Sequence, residues 1–320
     1  MPSNHFLPRR ATHGLPSPGL GALPARFRRP RLLIVGCGDV GQRVVKILAQ
    51  RLQVIALTSS VDRIAKLRSL NVTPLLGNLD DPRSLARLAG IATHVLHLAP
   101  PPSEGWQDTR TLALTRALRL RSAPVAFVYG STSGVYGDLQ GAVAHETLRA
   151  AARTQRALKR VSAEKTVRFL GRSASVRSSI LRIPGIYAPD RVGGTPRERL
   201  LKGTPVLKKQ DDVYTNHIHA DDLARACIAA LWRGKPQRVY NVNDDSQMLM
   251  GDYFDLAAGI YGLAKPPRVP RSTAQDQLPL MLLSFMSESR QMDNNRMKRE
   301  LKLRLRYPSV ATGLLPPELF

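Results

Sequence analysis

The sequence predicts an α/β protein, a Rossmann-type doubly wound parallel sheet followed by a small C-terminal substrate lobe. Two observations carry this prediction. Short apolar runs alternate with segments whose apolar residues recur at helical spacing, which is typical of parallel βαβ units. The first apolar run, residues 32–35, also ends in a GxGxxG pattern that opens the first predicted helix.

The elements follow one another in a regular order as far as residue 185. Continuous apolar or β-branched runs predict strands at residues 32–35, 53–57, 72–76, 94–98, 125–129 and 179–183. Helical spacing predicts helices at about 40–50, 61–70, 84–88, 107–121 and 150–169. Beyond this point residues 185–215 are rich in loop formers and residues 216–320 mix short elements.

This change of pattern divides the chain into three parts. Residues 1–30 contain arginine and proline but no acid and no apolar core, so we interpret them as a disordered basic tail. Residues 31–185 form the predicted dinucleotide-binding Rossmann domain. Residues 186–320 form mainly the substrate lobe, and we expect some of their elements to return to the Rossmann sheet.

Composition limits the classes of protein that the chain can represent. Its 320 residues are 43% hydrophobic, which is enough for a sizeable core, and they contain no apolar run that could span a membrane. The net charge of +24 raises nucleic acid as a partner. Aromatic residues make up 5% of the chain and no nucleic-acid motif accompanies the charge, so we favour solvated arginine-rich faces. The cysteines, Cys37 and Cys227, indicate neither a disulfide framework nor a metal site, which favours a reducing cytoplasm.

The glycine pattern predicts a nucleotide site, with a tight turn that binds no ligand as the alternative. Gly36 permits the turn, Gly38 lets the backbone approach a pyrophosphate, and Gly41 lets the helix pack against the strand. Free amides at the helix start would face the phosphates. The residues expected to contact the cofactor here are Gly36, Cys37, Gly38, Asp39, Val40 and Gly41.

The end of the second strand bears on the choice of cofactor. NAD recognition usually places an acid there, whereas this chain has the hydroxyl residues Thr58 and Ser59. Asp62 follows shortly, and Arg63 lies at the next helix start. Hydroxyl groups beside an arginine suit a 2′-phosphate. We therefore predict NADP, with NAD as the alternative. Leu98, Ala99 and Pro100 follow the fourth strand and are expected to line the cofactor channel.

Four further stretches give the chain a family resemblance. They are residues 130–138, which include Val135-Tyr136-Gly137, residues 181–189, which include Pro184-Gly185-Ile186-Tyr187, residues 216–224 and residues 239–242. In this order after a glycine turn they resemble the extended short-chain dehydrogenase/reductase superfamily, in its NAD-dependent epimerase/dehydratase group. The form of the glycine turn resembles the atypical branch, which includes nucleoside-diphosphate-sugar epimerase-like proteins. The resemblance covers about residues 31–315.

The resemblance implies roles for individual residues. Thr132 falls on the catalytic Ser/Thr position, although a turn stabilised by hydroxyl groups is the alternative. Pro184, Gly185 and Ile186 would border the nicotinamide, and Asn78 and Leu79 would contact the adenine. Substrate contacts are expected from Ser133, Asn216 and His217, with His217 on a loop. Asp221 or Asp222 would cap the next helix.

The chain departs from the superfamily at its catalytic pair. The superfamily uses Tyr-x-x-x-Lys, in which the lysine lowers the pKa of the tyrosine, and here Arg156 and Arg160 occupy those two positions ahead of Glu164. Arginine cannot serve as an ordinary acid or base. The two arginines could clamp an anionic substrate or a cofactor phosphate, or belong to a solvated helix face. Tyr136 is the remaining candidate proton donor.

Two hypotheses for the function follow from this departure. The first is an NADP-dependent oxidoreductase or epimerase-like enzyme that acts on a small anionic or nucleotide-sugar-like substrate. The second is a redox-silent protein that binds NADP(H), and a nucleic-acid-associated basic protein ranks behind both. Superfamily dimers commonly pair the helices predicted at 107–121 and 150–169. Because both are arginine-rich here, like charges would oppose that pairing, and we leave the oligomeric state open.

Overall fold

The computed structural model describes residues 30–278 and 280–315, so the predicted basic tail, except Pro30, lies outside the described residues. The strands, in chain order, are β1 (Arg31–Val35), β2 (Gln53–Thr58), β3 (Thr73–Leu76), β4 (His94–His97), β5 (Ala126–Thr132), β6 (Val143–Ala144), β7 (Arg177–Ile183), β8 (Gly185–Tyr187), β9 (Val206–Leu207), β10 (Tyr214–Thr215), β11 (His217–His219), β12 (Arg238–Asn241), β13 (Met248–Leu249), β14 (Arg268–Val269) and β15 (Gln291–Met292).

The α-helices, in chain order, are α1 (Asp39–Leu48), α2 (Arg63–Ser69), α3 (Thr109–Leu118), α4 (Gln155–Ser173), α5 (Arg197–Leu201), α6 (Ala220–Arg233), α7 (Met250–Tyr261), α8 (Arg271–Gln277), α9 (Leu280–Met286), α10 (Asn295–Glu300) and α11 (Val310–Gly313). Short 3₁₀ helices cover Pro82–Leu88, Ser133–Tyr136 and Lys209–Asp211. In neither described range is a helix long and apolar enough to cross a membrane.

A seven-stranded sheet in the order β12-β7-β5-β4-β1-β2-β3 forms the centre of the protein. Every neighbouring pair in it is parallel, which confirms the predicted Rossmann-type α/β fold. The order reverses between β1 and β4, because β2 and β3 extend to one side of β1 and the later strands to the other. In open parallel sheets a ligand binds at such a reversal, beyond the carboxyl ends of the strands.

Side chains of the strands alternate between two apolar layers. Leu32 and Ile34 of β1 pack into a core that α1, α2 and α6 cover. Leu33 and Val35 pack into a second core, covered by α3 and α4. Burial on both faces explains why the strands appear in the sequence as continuous apolar runs.

Several predicted boundaries were wrong because caps and pairing partners determine them. α3 begins after Asp108, whose carboxylate accepts a hydrogen bond from the Thr111 amide, rather than at 107. α4 begins after Thr154, whose hydroxyl caps the Ala157 amide, rather than at 150. The predicted helix at 84–88 is a 3₁₀ helix. β5 extends three residues beyond the predicted strand because residues 130–132 pair with residues 181–183 of β7.

The segment after residue 185 contributes both to the central sheet and to a separate small core. β12 pairs with β7, and α6 packs against α1. A third core gathers around Tyr187, Tyr253 and Phe254, with α7 as its largest helix. The predicted boundary between residues 185 and 186 stays a prediction.

Candidate cofactor and substrate site

The turn between β1 and α1 gives each of its three glycines a different environment. Gly36 has a φ of +89°, and a Cβ there would collide with the backbone of Ala99. A Cβ at Gly41 would lie 3.2 Å from the Gly36 carbonyl oxygen, so this residue permits close packing of the helix. Gly38 is exposed, and no heavy atom lies within 4 Å of its Cβ position. The side of Gly38 that faces the start of α1 is therefore open, as the predicted pyrophosphate site requires.

Hydroxyl groups and a cation, rather than a carboxylate, stand at the end of β2. Thr58 is buried and bonds through its hydroxyl to the Ser60 backbone, whereas Ser59 is exposed. Arg63, the first residue of α2, donates a hydrogen bond to the Cys37 carbonyl oxygen inside the glycine turn. The Arg63 guanidinium group therefore reaches from α2, which follows the end of β2, to the glycine turn. The glycine turn was predicted to bind the pyrophosphate, and the end of β2 the adenosine ribose.

The loops that follow β3 and β4 are joined by one arginine of α3. Arg110 pairs with Asp80 at 2.6 Å and donates to the carbonyl oxygens of Pro100 and Pro101. The hydrogen bond from Arg110 is the main cause that lowers the pKa of Asp80. The residues predicted to line the adenine pocket and the cofactor channel stand on these two loops: Asn78, Leu79, Leu98, Ala99 and Pro100.

α4 carries Arg160 to the end of β5, whereas Arg156, one turn earlier, is exposed. Nη1 of Arg160 donates to the Gly130 carbonyl oxygen at 2.8 Å and to the Tyr129 hydroxyl at 3.0 Å. Its Nε is buried and has no hydrogen-bond partner within the described ranges. Arg160 is therefore fixed at the end of β5 through Nη1, while its Nε is shielded from solvent.

The hydroxyl-rich end of β5 divides into an accessible and a buried part. Thr132 and Ser133 are half-buried, and the Thr132 hydroxyl accepts a hydrogen bond from the Gly134 amide at 3.3 Å. Tyr136 is 1% exposed, and its hydroxyl donates to Oδ1 of Asn241 at 2.6 Å. Burial also raises the pKa of Tyr136. Its hydroxyl is therefore engaged inside the fold, and this geometry gives no support to its predicted role as a proton donor.

A buried ion pair lies behind this strand end. Arg182 of β7 donates two hydrogen bonds to Glu164 of α4, at 3.2 and 2.9 Å, and Ser131 donates a third at 2.7 Å. Burial alone would lower the pKa of Arg182, but the hydrogen bonds and charge of Glu164 raise it. The pair joins α4, β5 and β7 at the level of Thr132 and Arg160.

β8 supplies the edge that was predicted to border the nicotinamide. Pro184 and Ile186 are half-buried, and Gly185 is exposed. A Cβ at Gly185 would lie 3.3 Å from the Asn216 carbonyl oxygen, because β8 and β11 run side by side. The backbone of this edge is therefore open to solvent on one side and closed by β11 on the other.

The two predicted substrate residues beside β8 are both buried. Asn216 donates to the Arg290 carbonyl oxygen at 2.8 Å. His217 lies in β11 rather than on the predicted loop, with its ring centroid 4.2 Å from that of Tyr253. Burial lowers the pKa of His217 to about 3, so it is neutral at physiological pH. Both side chains are therefore buried against neighbouring segments, and this geometry does not support their predicted contact with a substrate.

A charged cluster that the sequence did not predict surrounds Arg43 of α1. Arg43 is 9% exposed and contacts three carboxylates, those of Asp39 at 3.2 Å, Asp190 at 2.7 Å and Asp221 at 2.5 Å. In the sequence, the spacing of four residues within α1 could have indicated the pair of Arg43 with Asp39. Nothing in the sequence indicated the other two pairs, because Asp190 and Asp221 lie more than a hundred residues from Arg43.

The cap of α6 differs from the prediction. His219 occupies the N-cap position, and its Nδ1 accepts the hydrogen bond of the Asp221 amide. Asp221 instead pairs with Arg43. Asp222 accepts hydrogen bonds from the amides of Arg306 and Tyr307. Both acids therefore tie the start of α6 to other segments.

Comparison with known proteins gives matches over most of the chain. The model of the NAD dependent epimerase/dehydratase family matches residues 32–243. A conserved protein of unknown function from Silicibacter pomeroyi DSS is 30% identical, with a TM-score of 0.75 over 89% of this chain and 96% of that chain.

Two solved structures of named enzymes share the fold at lower identity. UDP-glucose 4-epimerase from Thermotoga maritima, solved with UDP-glucose, is 20% identical, with a TM-score of 0.72 over 89% of this chain and 96% of that chain. UDP-glucuronic acid 4-epimerase from Bacillus cereus, in complex with NAD, is 18% identical, with a TM-score of 0.69 over the same shares. No curated protein sequence matches the chain.

Proposed function

This chain belongs to the NAD dependent epimerase/dehydratase family, and on that premise we propose that it binds NADP(H) and acts as an oxidoreductase or epimerase-like enzyme on a small anionic or nucleotide-sugar-like substrate. The observation that carries the proposal is the glycine turn. Gly36 and Gly41 are required by the packing of the turn, whereas the free space at Gly38 serves nothing within the protein. A bound pyrophosphate explains why that side is open.

Arg63 supports NADP over NAD. Its guanidinium group is held at the glycine turn by the Cys37 carbonyl oxygen, and Ser59 at the end of β2 is exposed, whereas the hydroxyl of buried Thr58 donates to the Ser60 carbonyl oxygen. A 2′-phosphate placed there would meet a cation and hydrogen-bond donors. At the end of β2 itself a free ribose diol would lack the carboxylate that usually accepts its hydroxyl groups, since the nearest acid, Asp62, lies at the start of α2.

The proposed cofactor path follows the carboxyl ends of the strands. Adenosine would lie by Arg63 and Asn78, the pyrophosphate at Gly38, and the nicotinamide at Gly185 near Ala99. When bound, the nicotinamide would supply hydride exchange with a substrate carbon. The chain itself would orient that carbon through the hydroxyl of Thr132, a half-buried residue at the end of β5.

Arg160 supports the anionic character of the substrate. Its Nη1 is bound by the Gly130 carbonyl oxygen, while its buried Nε lacks a partner within the described part of the chain. A carboxylate, a phosphate or a sugar hydroxyl would meet Arg160 through its other terminal nitrogen, Nη2, because Nε is shielded from solvent. Arg156, which is exposed one turn earlier on α4, would supply further positive charge near Arg160.

A redox-silent NADP(H)-binding protein is the second candidate, and one observation favours it. Arg156 replaces the phenol of the catalytic pair, and the hydroxyl of Tyr136 is engaged with Asn241. The double variant Arg156→Tyr, Arg160→Lys restores the pair. Under this alternative we expect it to create slow hydride transfer that the wild type lacks.

The remaining assignments follow from the same proposal. A small-molecule substrate, rather than nucleic acid, is the partner that the site would take. Cys37 and Cys227 are both free and buried, which supports a reducing cytoplasm as the compartment.

Replacing Arg63 tests the choice of cofactor. We expect Arg63→Ala to weaken NADPH binding by about tenfold or more, and NADH binding by less than about twofold, because a charged hydrogen bond contributes about 1.5–3 kcal/mol. Calorimetric titration measures both dissociation constants. Lys66→Ala is the matched control, since it removes an exposed cation from the same helix. Equal losses for the two cofactors would show that Arg63 does not select NADP.

Turnover by two site variants tests the proposed chemistry. Arg160→Lys keeps the charge but loses the planar fork, so we expect KM for the substrate to rise by about tenfold. Thr132→Val keeps the volume but removes the hydroxyl, so we expect kcat to fall instead. NADPH oxidation with a panel of nucleotide sugars and small oxo acids provides the assay. Turnover that survives both changes would remove these residues from the proposal.

A further inference from the structure

Arg191 connects the glycine turn to the edge that borders the proposed nicotinamide position. Its Nη1 donates to the Ile186 carbonyl oxygen at 3.0 Å. Its Nε lies 3.2 Å from Oδ2 of Asp39, the first residue of α1. Arg191 thus spans the interval between Gly38 and Ile186, along which the phosphates and the nicotinamide ribose of a dinucleotide would lie.

The contact between Arg191 and Asp39 is an ion pair without a hydrogen bond. Both Nε of Arg191 and Oδ2 of Asp39 lack hydrogen-bond partners within the described residues, although the two atoms are close. The side chains are 31% and 35% exposed. The two contacting atoms are themselves buried, so the pair is shielded from solvent yet lacks a hydrogen bond. Because a hydrogen bond to a charged group is worth about 1.5–3 kcal/mol, a phosphate that forms one with this guanidinium group would outcompete the carboxylate.

An anion that binds beside Asp39 would meet more negative than positive charge unless a cation besides Arg43 contacts it. Three carboxylates, those of Asp39, Asp190 and Asp221, surround Arg43. A pyrophosphate at the start of α1 would add negative charge beside Asp39. Arg43 is already engaged by all three acids, whereas Arg191 meets Asp39 through the loose contact described above.

We propose that Arg191 is a cofactor-binding residue, whose guanidinium group exchanges the Asp39 carboxylate for the nicotinamide-side phosphate of the dinucleotide. The inference rests on the proposed binding of NADP(H). Asp39 holds the arginine in place while no cofactor is bound, and it competes with the phosphate for the same group. The two residues therefore have opposite effects on affinity.

Calorimetric titration of NADPH into paired variants tests this exchange. We expect Arg191→Gln to weaken binding by about tenfold or more, because a charge-assisted contact to phosphate is lost. We expect Asp39→Asn to strengthen binding by about threefold or more, because the competing charge is removed. Arg197→Gln is the control for net charge, since Arg197 is an exposed residue of α5, and it should change the affinity by less than about twofold.

A fragment locates the contact within the cofactor. Adenosine 2′,5′-bisphosphate carries the adenosine side and lacks the nicotinamide-side phosphate. We expect Arg191→Gln to leave its affinity within about twofold of wild type, and Arg63→Ala to weaken it by about tenfold. An equal loss for the fragment and for NADPH in Arg191→Gln would overturn the assignment to the nicotinamide side.

The outcomes separate a binding role from a structural one. If the pair only held the loop, Arg191→Gln and Asp39→Asn would both weaken NADPH binding, and that result would overturn the exchange. If the wild type binds NADPH and Arg191→Gln binds it equally well, the proposed exchange is also overturned, but the proposed function stands. Wild-type protein that binds neither NADPH nor NADH would instead reject the proposed function itself.

Discussion

Gly38→Val is expected to reduce the affinity for NADPH by at least about tenfold, or about 1.4 kcal/mol, while the protein stays folded. Gly38 has an extended backbone conformation that other residues can adopt, and no protein atom lies within 4 Å of its Cβ position. The valine side chain would fill the space through which a pyrophosphate approaches the amides of α1. Calorimetry gives the affinity, and thermal unfolding verifies the fold.

Gly259→Val is the matched control for this substitution. Gly259 is exposed on α7, and no heavy atom lies within 4 Å of its Cβ position either. The same change of residue should therefore leave NADPH affinity unaltered. A folded Gly38→Val protein that binds NADPH as tightly as wild type would remove the glycine turn from the proposed site.

Arg182→Met is expected to lower the free energy of unfolding by about 3–5 kcal/mol, because it removes the buried cation that donates two hydrogen bonds to the Glu164 carboxylate. The remaining cation, Arg168, lies 3.8 Å from Glu164 and its side chain is 33% exposed. The side chains of Arg182 and Glu164 are 3% and 4% exposed. Ser131 would remain as a hydrogen-bond donor, but a hydroxyl group does not neutralise the charge. Urea-induced unfolding measures the loss.

Two further variants show whether burial is the cause. Replacing both partners, with Arg182→Met and Glu164→Gln, should recover much of the lost stability, since no buried charge remains. Lys298→Ala breaks the partly exposed pair with Asp245 and should cost less than about 1 kcal/mol. A loss in Arg182→Met no larger than that in Lys298→Ala would contradict the buried-charge explanation.

The fold could be predicted from the sequence because its signals are local. Residues 32–35 are apolar without interruption since both faces of β1 are covered, and the three glycines follow at once. Element boundaries were less predictable, because they depend on capping and pairing. Asp108 and Thr154 stop their helices from starting earlier, and β5 is lengthened by its pairing with β7.

The candidate site could be predicted where motif spacing determines a position. Arg160 lies four residues before Glu164, which identifies it as the residue at the lysine position of the superfamily's Tyr-x-x-x-Lys pair. The structure places Arg160 at the end of β5. Residues whose environment depends on distant segments could not be predicted. His217 is buried by Tyr253 and Tyr136 is bound by Asn241, and in each case the partner lies far along the chain.

NADP(H) is expected to bind at the open glycine turn, with Arg63 contacting its 2′-phosphate. Titration of the wild-type protein with NADPH and, in parallel, with NADH by calorimetry tests it most directly. We expect one NADPH to bind per chain, at an affinity at least about tenfold higher than that for NADH. Tighter binding of NADH would contradict the role of Arg63, and a folded protein that binds neither nucleotide would contradict the claim as a whole.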